Sequence, residues 1–306
     1  MYHYVREVAN SPYPGIKGLE LKDFIGQIEY LQKRYNPITI EQLLEALQNQ
    51  TKLPPNAVLL TFDDGYADNY RFVLPVLADK KLQGSFYPPA QAILEHKVLD
   101  VNKIHFILAT APGIPQLLKD ISAQLHVYRK EFNLPSFDEL FRTLAIASEI
   151  DTKEVIFIKR LLQVALPIVA REHITRFLFE KYVQKTEAEF SRELYMNIGQ
   201  IRELQAAGMH IGSHAYSHQW LATLPENQQR TEVDLSLEFL KLAGADINNW
   251  TMTYPFGSYN ASLLNILEEK KCRLAFKSVP AGIADIASHH KFEFPRIDTI
   301  NIPVRA

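Results

Sequence analysis

Residues 57–65 read Ala-Val-Leu-Leu-Thr-Phe-Asp-Asp-Gly, an apolar run that ends in two adjacent carboxylates and a glycine. An apolar run this short is typical of a strand buried on both faces, as strands in parallel sheets are. Functional groups collect at the carboxyl ends of such strands, because the loops there open to solvent while the strand stays rigid. Asp63 and Asp64 are therefore a candidate site, and Gly65 permits a sharp turn after them. The alternative is an ordinary Asp-Gly turn.

Strand and helix patterns alternate on both sides of this segment. Short apolar runs predict strands over residues 2–5, 57–62, 84–87, 209–212, 250–254, 273–277, 292–294 and 297. Helical spacing of apolar residues predicts helices over residues 21–35, 39–47, 68–80, 198–207, 228–242 and 261–271. Thr39 and Gln42 form a candidate capping box at the start of the second helix. This alternation indicates an α/β fold with a parallel sheet or barrel.

The middle of the chain, residues 95–193, breaks the alternation. Helical periodicity dominates it, over residues 114–130, 136–148, 153–166 and 168–185. We therefore expect one barrel-like core, formed by residues 1–94 and 194–306, with a large helical insertion at 95–193. The insertion is a candidate lid, substrate wall or homo-oligomer face, and simple structural elaboration is the alternative.

Composition excludes several classes of protein. The chain has 306 residues, 33 Lys and Arg against 35 Asp and Glu, and 47% apolar residues. The net charge of −2 gives no basic footprint for nucleic acid. The single cysteine, Cys272, excludes an intramolecular disulfide and suits a reducing compartment. The amino terminus lacks the apolar run of a signal peptide, and residues 155–169 fall short of the ~18 apolar residues of a membrane span. We expect a soluble, cytoplasmic protein without stable membrane insertion.

A second candidate site is the segment Ile-Gly-Ser-His-Ala-Tyr-Ser-His over residues 211–218. In a helical turn, His214 and His218 would share one face, as metal coordination requires. The chain has ten histidines, so this spacing alone is weak evidence. With Asp64 it provides two histidines and one aspartate, which leaves metal positions open for water and substrate and is the pattern of catalytic zinc sites.

These two motifs, with Tyr-Pro-Phe-Gly at residues 254–257, resemble the motifs of the polysaccharide deacetylases (NodB homology domain, carbohydrate esterase family 4). The resemblance covers about two thirds of the chain, outside the helical insertion. It implies an α/β fold, namely a distorted (β/α) barrel of NodB type. It also implies an enzyme that uses a divalent metal to remove N- or O-acetyl groups from sugars. The metal it implies is zinc, with cobalt or nickel as alternatives.

The resemblance also implies roles for individual residues. Asp64, His214 and His218 correspond to the metal ligands, and Asp63 corresponds to the general base. A backbone N–H near Phe256 would help the metal to stabilise the oxyanion.

The chain departs from the commonest family pattern at two functional positions. Thr253 stands where the third motif usually has an arginine, and no C-terminal Leu-x-Leu-His supplies a general acid. A permuted subset of the family, which includes the biofilm poly-N-acetylglucosamine deacetylases, begins with a Tyr-His strand like Tyr2-His3. We therefore predict His3 as the general acid and Arg296 as the cation that keeps Asp63 ionised. The alternatives are a surface histidine and an ordinary salt bridge of Arg296.

Aromatic residues near the motifs are candidates for a sugar platform, because pyranose rings expose apolar C–H faces. Packing is the alternative for each of these side chains, which are Tyr66, Trp220, Tyr254 and Phe256.

The leading hypothesis is a metal-dependent hydrolase that removes an N-acetyl group from an amino sugar or a glycan intermediate of surface-polysaccharide synthesis. A deformylase or other amidase on the same fold is the first alternative. A non-catalytic carbohydrate-binding protein is the second, motivated by Thr253 and by the insertion.

Overall fold

The computed structural model describes residues 1–148, 151–278 and 282–304. The chain divides into two compact units. Unit 1 comprises Met1–Glu7, Gly18–Lys97 and Ser191–Ala306, and unit 2 comprises Val8–Lys17 and Val98–Phe190. The sequence pattern does not predict the grouping of Val8–Lys17 with unit 2. That unit 2 is an insertion into a barrel domain stays a prediction.

Ten short strands lie in the described part of unit 1, and every pair among them is parallel. They are β1 (Val5–Arg6), β2 (Leu19–Glu20), β3 (Asn36–Pro37), β4 (Ala57–Val58), β5 (Leu60–Asp63), β6 (Gly84–Tyr87), β7 (His210–Ile211), β8 (Thr251–Thr253), β9 (Leu274–Ser278) and β10 (Phe294–Arg296). The predicted strand over residues 57–62 is two strands, because β4 pairs with β3 while β5 pairs with β6.

Single contacts connect these strands into a distorted (β/α) barrel. The pairing orders are β5-β6-β7 and β8-β9-β10, and a bridge from Ser213 to Met252 joins β7 to β8. At the other side, Tyr2 bridges to Phe62 of β5. The amino-terminal nitrogen donates to the carbonyl of Ile297, just beyond β10, at 2.9 Å. The predicted barrel fold is confirmed, and its irregularity comes from strands only two to five residues long.

The helices alternate with the strands in unit 1 and replace them in unit 2. In chain order they are α1 (Leu21–Arg34), α2 (Ile40–Asn49), α3 (Leu74–Asp79), α4 (Ala90–Leu94), α5 (Asp100–Thr110), α6 (Ile114–Tyr128), α7 (Phe137–Leu144), α8 (Lys153–Arg160), α9 (Ile168–Val183), α10 (Glu187–Leu194), α11 (Ile198–Ala206), α12 (Glu226–Ala243) and α13 (Ala261–Glu269). The capping box of Thr39 and Gln42 is present at the start of α2. No helix in the described ranges is long and apolar enough to cross a membrane.

Helix α5 is absent from the sequence-based prediction. Its apolar residues Ile104, Phe106 and Ile107 are wholly buried. Such a short apolar run does not by itself distinguish a strand from a buried helix, because both give a continuous apolar pattern.

The barrel interior is filled by stacked aromatic rings. The Phe62 ring lies 5.0 Å from that of Tyr2 and 4.7 Å from that of Phe86, and all three side chains are buried. This packing fixes β5 inside the barrel, with Asp63 at its carboxyl end. Arg296 ends β10 at the same edge, so the fold brings the ends of two distant strands together.

Candidate metal and catalytic site

Asp63 and Arg296 form a buried ion pair. Arg296 Nη1 donates to Asp63 Oδ1 at 2.9 Å, and Nη2 donates to Oδ2 at 2.7 Å. Burial opposes ionisation of Asp63, but the positive charge of Arg296 outweighs it, and the pKa of Asp63 is lowered to about 2. Arg296 also lies 3.3 Å from the hydroxyls of Thr61 and Ser278, which fix the guanidinium in turn. The structure thus brings Arg296 to Asp63, and the Asp63 carboxylate is charged and held by two hydrogen bonds.

Asp64 faces the two histidines of the second motif. Its backbone is left-handed, with φ of 66°, as is that of Gly65 at 64°, so the chain turns sharply after β5. Asp64 Oδ1 lies 3.4 Å from His214 Nε2 and 3.3 Å from His218 Nε2. All three residues are buried.

This cluster has the geometry of a metal site. Asp64 Oδ1 is buried and has no hydrogen-bond partner among the described residues, although a buried carboxylate oxygen without one is costly. Two ligand atoms bound to a tetrahedral zinc ion lie roughly 3.3–3.6 Å apart, given bonds of about 2.0–2.2 Å. The distances from Oδ1 to both imidazole nitrogens match this separation, and the three ligand atoms all lie within 4.8 Å of one another. The residues therefore fit a divalent cation.

Thr253 orients His214 for this arrangement. The Nδ1 atom of His214 lies 2.9 Å from the Thr253 carbonyl oxygen and 2.6 Å from its hydroxyl. A carbonyl oxygen only accepts, so Nδ1 carries the proton and Nε2 keeps its lone pair for a metal. Thr253, which replaces the usual arginine of the third motif, thus contacts a candidate ligand instead of Asp63.

The two imidazoles have different proton affinities. Burial disfavours the charged form of both. At His214 the negative charge of Asp63 outweighs burial and the pKa is raised, whereas the pKa of His218 is lowered by burial and by the neighbouring charge of His214. The pKa of Asp64 is lowered well below its usual value, because attraction to the two neighbouring imidazoles outweighs its burial.

The prediction that His214 and His218 share one face of a helical turn is wrong. Residues 214–218 form a loop without helix, in which Ala215 and His218 have left-handed φ angles of 59° and 58°. The imidazoles nevertheless converge, with ring centroids 4.8 Å apart. Loop geometry, and not helical periodicity, brings them together.

His3 lies beside the carboxylate pair. Tyr2, the preceding residue, pairs with β5 through a hydrogen bond from Asp63 N to Tyr2 O at 3.0 Å. The backbone of His3 therefore adjoins the end of β5, where Asp63 and Asp64 lie. His3 is half-buried and open to solvent.

Two of the four aromatic candidates form a surface next to the metal cluster. The Phe256 ring contacts the His218 ring edge-on at 4.8 Å and stacks on the Trp220 ring at 4.5 Å, with an angle of 2° between the planes. Trp220 is 36% exposed, so the stack presents a flat apolar face beside His218.

The other two aromatic candidates do not form a sugar platform. Tyr254 is wholly buried, its hydroxyl donates to the Phe292 carbonyl at 2.9 Å, and its ring stacks on Tyr259. Tyr66 is 1% exposed, and its hydroxyl donates to Asp64 Oδ2 at 2.5 Å. Tyr254 is a packing residue, and Tyr66 orients Asp64 so that Oδ1 points toward the histidines.

Sequence reasoning missed the residues that hold the second motif. Glu232 and Ser236 of α12 accept hydrogen bonds from the loop that carries His214 and His218. Both are buried polar residues in a helix. Such positions carry a weak sequence signal, because a polar residue inside a helix is more often solvent-facing.

The sequence profile of the family described as "Polysaccharide deacetylase" matches residues 50–129 and 165–275, more than half of the chain. The chain therefore belongs to the polysaccharide deacetylase family, as its motifs predict. The matched ranges contain Asp63, Asp64 and both histidines of the second motif. Arg296 and His3 lie outside them.

Solved structures share the fold. The Streptococcus pyogenes deacetylase PplD in complex with acetate superposes with a TM-score of 0.56 at 17% identity, over 97% of this chain and 89% of that one. A de-N-acetylase from Aggregatibacter actinomycetemcomitans gives 0.55 at 15% identity, over 100% and 94%. IcaB from Ammonifex degensii gives 0.52 at 18% identity, over 90% and 82%. These TM-scores support a shared NodB-type fold despite the low sequence identities.

A curated relative matches over a short segment. The poly-beta-1,6-N-acetyl-D-glucosamine N-deacetylase of Escherichia coli (strain K12) is 36% identical over 72 residues, which are 23% of this chain. The match covers 10% of the length of that relative.

Proposed function

We propose that the protein is a metal-dependent hydrolase that removes the N-acetyl group of an amino sugar in a glycan. One observation carries the proposal: the unpartnered Oδ1 of Asp64 lies between two imidazole nitrogens at metal-ligand spacing, beside an ionised Asp63. Family membership supports the reaction class, and the names of the relatives support an N-acetylated glycan as substrate.

Asp64, His214 and His218 would hold the ion, for which zinc fits a ligand set of two nitrogens and one oxygen, with cobalt or nickel as alternatives. When bound, the ion acidifies a coordinated water and polarises the acyl carbonyl. Tyr66 and Thr253 contribute by fixing the orientation of Asp64 and His214.

Asp63 would act as the general base for the attacking water. Its low pKa means that it is unprotonated at neutral pH and free to accept a proton, while Arg296 keeps both carboxylate oxygens in place. His3, on the neighbouring segment, would donate a proton to the leaving amine.

The stack of Trp220 and Phe256 would provide one wall for the sugar. An apolar face beside His218 suits the C–H face of a pyranose ring. A backbone N–H near Phe256 would help to stabilise the oxyanion. The substrate would then lie with its acyl group toward Asp63. Three further points stay predictions from the sequence. They are a cytoplasmic location, a substrate that is an intermediate of surface-polysaccharide synthesis, and a homo-oligomer formed through residues 95–193.

A product assay tests this function. Zinc-loaded protein is incubated with β-1,6-linked N-acetylglucosamine oligomers and their N-formyl analogues, and acetate, formate and ammonia are quantified. We expect acetate release that falls by about 10²–10⁴-fold in Asp63→Asn, which keeps the shape of the side chain but removes the base. Formate alone would indicate a deformylase, ammonia another amidase, and tight sugar binding without turnover a carbohydrate-binding protein.

A further inference from the structure

Helix α12 holds the loop of the second motif through a buried carboxylate. Glu232 Oε2 accepts from the backbone N–H of Tyr216 at 3.0 Å and of Ser217 at 2.8 Å. Glu232 Oε1 accepts from the Ser217 hydroxyl at 2.5 Å. The Glu232 side chain is 7% exposed, so these bonds lie away from bulk water.

Both donors of these backbone bonds lie between His214 and His218 in the sequence. The loop makes no helix, and two of its residues, Ala215 and His218, are non-glycine residues in the left-handed region. Such a conformation costs free energy and persists only where its surroundings impose it. Because the loop has no regular hydrogen-bond ladder, its shape depends on the acceptor that Glu232 supplies.

One turn further along α12, Ser236 fixes the other side of the loop. The Ser213 hydroxyl donates to Ser236 Oγ at 2.9 Å and accepts from Ala215 N at 3.1 Å. These bonds flank His214. The same helix face therefore holds the backbone on both sides of the first histidine and just before His218.

We propose that Glu232 is a positioning residue that sets the separation of the His214 and His218 imidazoles and thereby the affinity of the site for a divalent cation. It touches neither the ion nor the substrate and acts through the amides of Tyr216 and Ser217. The inference rests on the proposed function in one respect, that a metal binds at Asp64, His214 and His218. A purely structural role would lower the melting temperature and leave the metal affinity unchanged.

Two variants with small changes in shape separate these roles. Glu232→Asp keeps the charge but shortens the side chain by one methylene, which withdraws the carboxylate from both amides. Glu232→Gln keeps the length and one oxygen that can accept both N–H groups. Glu238→Ala, at an exposed glutamate on the same helix, is the control.

The measurement is zinc affinity by competition with a chromophoric chelator, together with the visible absorption of the cobalt-loaded protein. We expect Glu232→Asp to bind zinc about tenfold or more weakly and to change the cobalt bands, as loss of an outer orienting group does. Glu232→Gln should stay within about threefold of the parent, because only the charge-assisted part of its bonds is lost. Glu238→Ala should match the parent.

The positioning role would be overturned if Glu232→Asp had the zinc affinity and the cobalt spectrum of the parent, whatever the melting temperature of the variant. A parent protein that binds no zinc would instead overturn the proposed metal site, and the inference with it. The two failures are therefore distinguishable in one experiment.

Discussion

Asp63 and Asp64 are neighbours in the chain with different surroundings. Asp63 is paired with a guanidinium, while Asp64 receives a tyrosine hydroxyl and faces two imidazoles. The left-handed turn at Asp64 points the two carboxylates in different directions. Because their environments differ, two adjacent carboxylates can take different roles, one as general base and the other as metal ligand.

The ion pair of Asp63 and Arg296 makes the stability of the fold depend on pH. The pKa of Asp63 is lower in the folded chain, at about 2, than the ordinary value of 3.8. A carboxyl with a lowered pKa stabilises the fold above pH 3.8, and this contribution is lost as the pH falls through about 2. The ion pair therefore contributes its full stabilisation at neutral pH.

Replacing Arg296 by methionine should shift the pH dependence of activity. Without the guanidinium, burial raises the pKa of Asp63 above its usual value, by up to about 3–5 units for a fully buried carboxyl. We expect the acid limb of the kcat/KM profile to move to higher pH by about two units or more. Activity of Arg296→Met should then rise with pH where the parent is flat.

Arg273→Met, at a partly exposed arginine that contacts Gln48, is the control and should keep the parent profile. Arg296→Met should also lose about 3–5 kcal/mol of unfolding free energy, because it leaves a buried charge without its partner. An unchanged pH profile in a folded Arg296→Met protein would show that Arg296 does not control Asp63.

Replacing His3 by glutamine tests the general acid. Glutamine cannot protonate a leaving amine, so kcat/KM on an unactivated amide should fall by about 10²–10⁴-fold. Zinc affinity should stay at the parent value, because His3 is not among the three clustered ligands. His290→Gln, at an exposed histidine, is the control. Equal activity of His3→Gln and the parent would assign the acid to another group.

At the scale of elements, the apolar pattern over residues 57–62 predicts a buried strand that leads to Asp63, although the structure divides this run into β4 and β5. The shape of the second-motif loop cannot be predicted in this way. It depends on Glu232 of α12, which accepts hydrogen bonds from two backbone amides of the loop. The periodicity of apolar residues in a local segment does not reveal such contacts between elements. The same limit explains Tyr66 and Tyr254, whose burial depends on packing that no local pattern encodes.

A single methyl group tests the packing of β7 against the barrel. A Cβ at Gly212 would lie 2.4 Å from Tyr87 Cε1 and 2.8 Å from the Thr251 carbonyl oxygen. Gly212→Ala should therefore destabilise the protein by about 1–3 kcal/mol through overpacking. Chemical denaturation of the metal-free protein measures this loss.

Gly199→Ala is the matched control for that variant. Its Cβ would meet only the Asn197 side-chain oxygen, at 3.1 Å, and Gly199 lies in the first turn of α11, where alanine favours the helix by less than the ~1 kcal/mol of an interior position. Equal stabilities of the two variants would contradict the close approach of β6, β7 and β8 at Gly212.

At the scale of the whole molecule, the barrel joins residues that are far apart in the chain. Asp63 and Arg296 are separated by 233 positions, and no local pattern in the sequence links them. The resemblance to a permuted subset of the family predicts the role of Arg296, while strand and helix alternation predicts only the class of fold. Contacts between residues so far apart in the sequence depend on how the strands close into a barrel.

The central claim is that hydrolysis depends on a metal at Asp64, His214 and His218. The most direct measurement is the rate of acetate release from an N-acetylglucosamine oligomer while chelator-treated protein is titrated with zinc. We predict negligible acetate release without metal and a rate that saturates at about one equivalent of zinc, as expected for a single site with three protein ligands. Asp64→Ala and His214→Ala should remain inactive throughout the titration. Full activity in the metal-free protein, or in either variant, would contradict the claim.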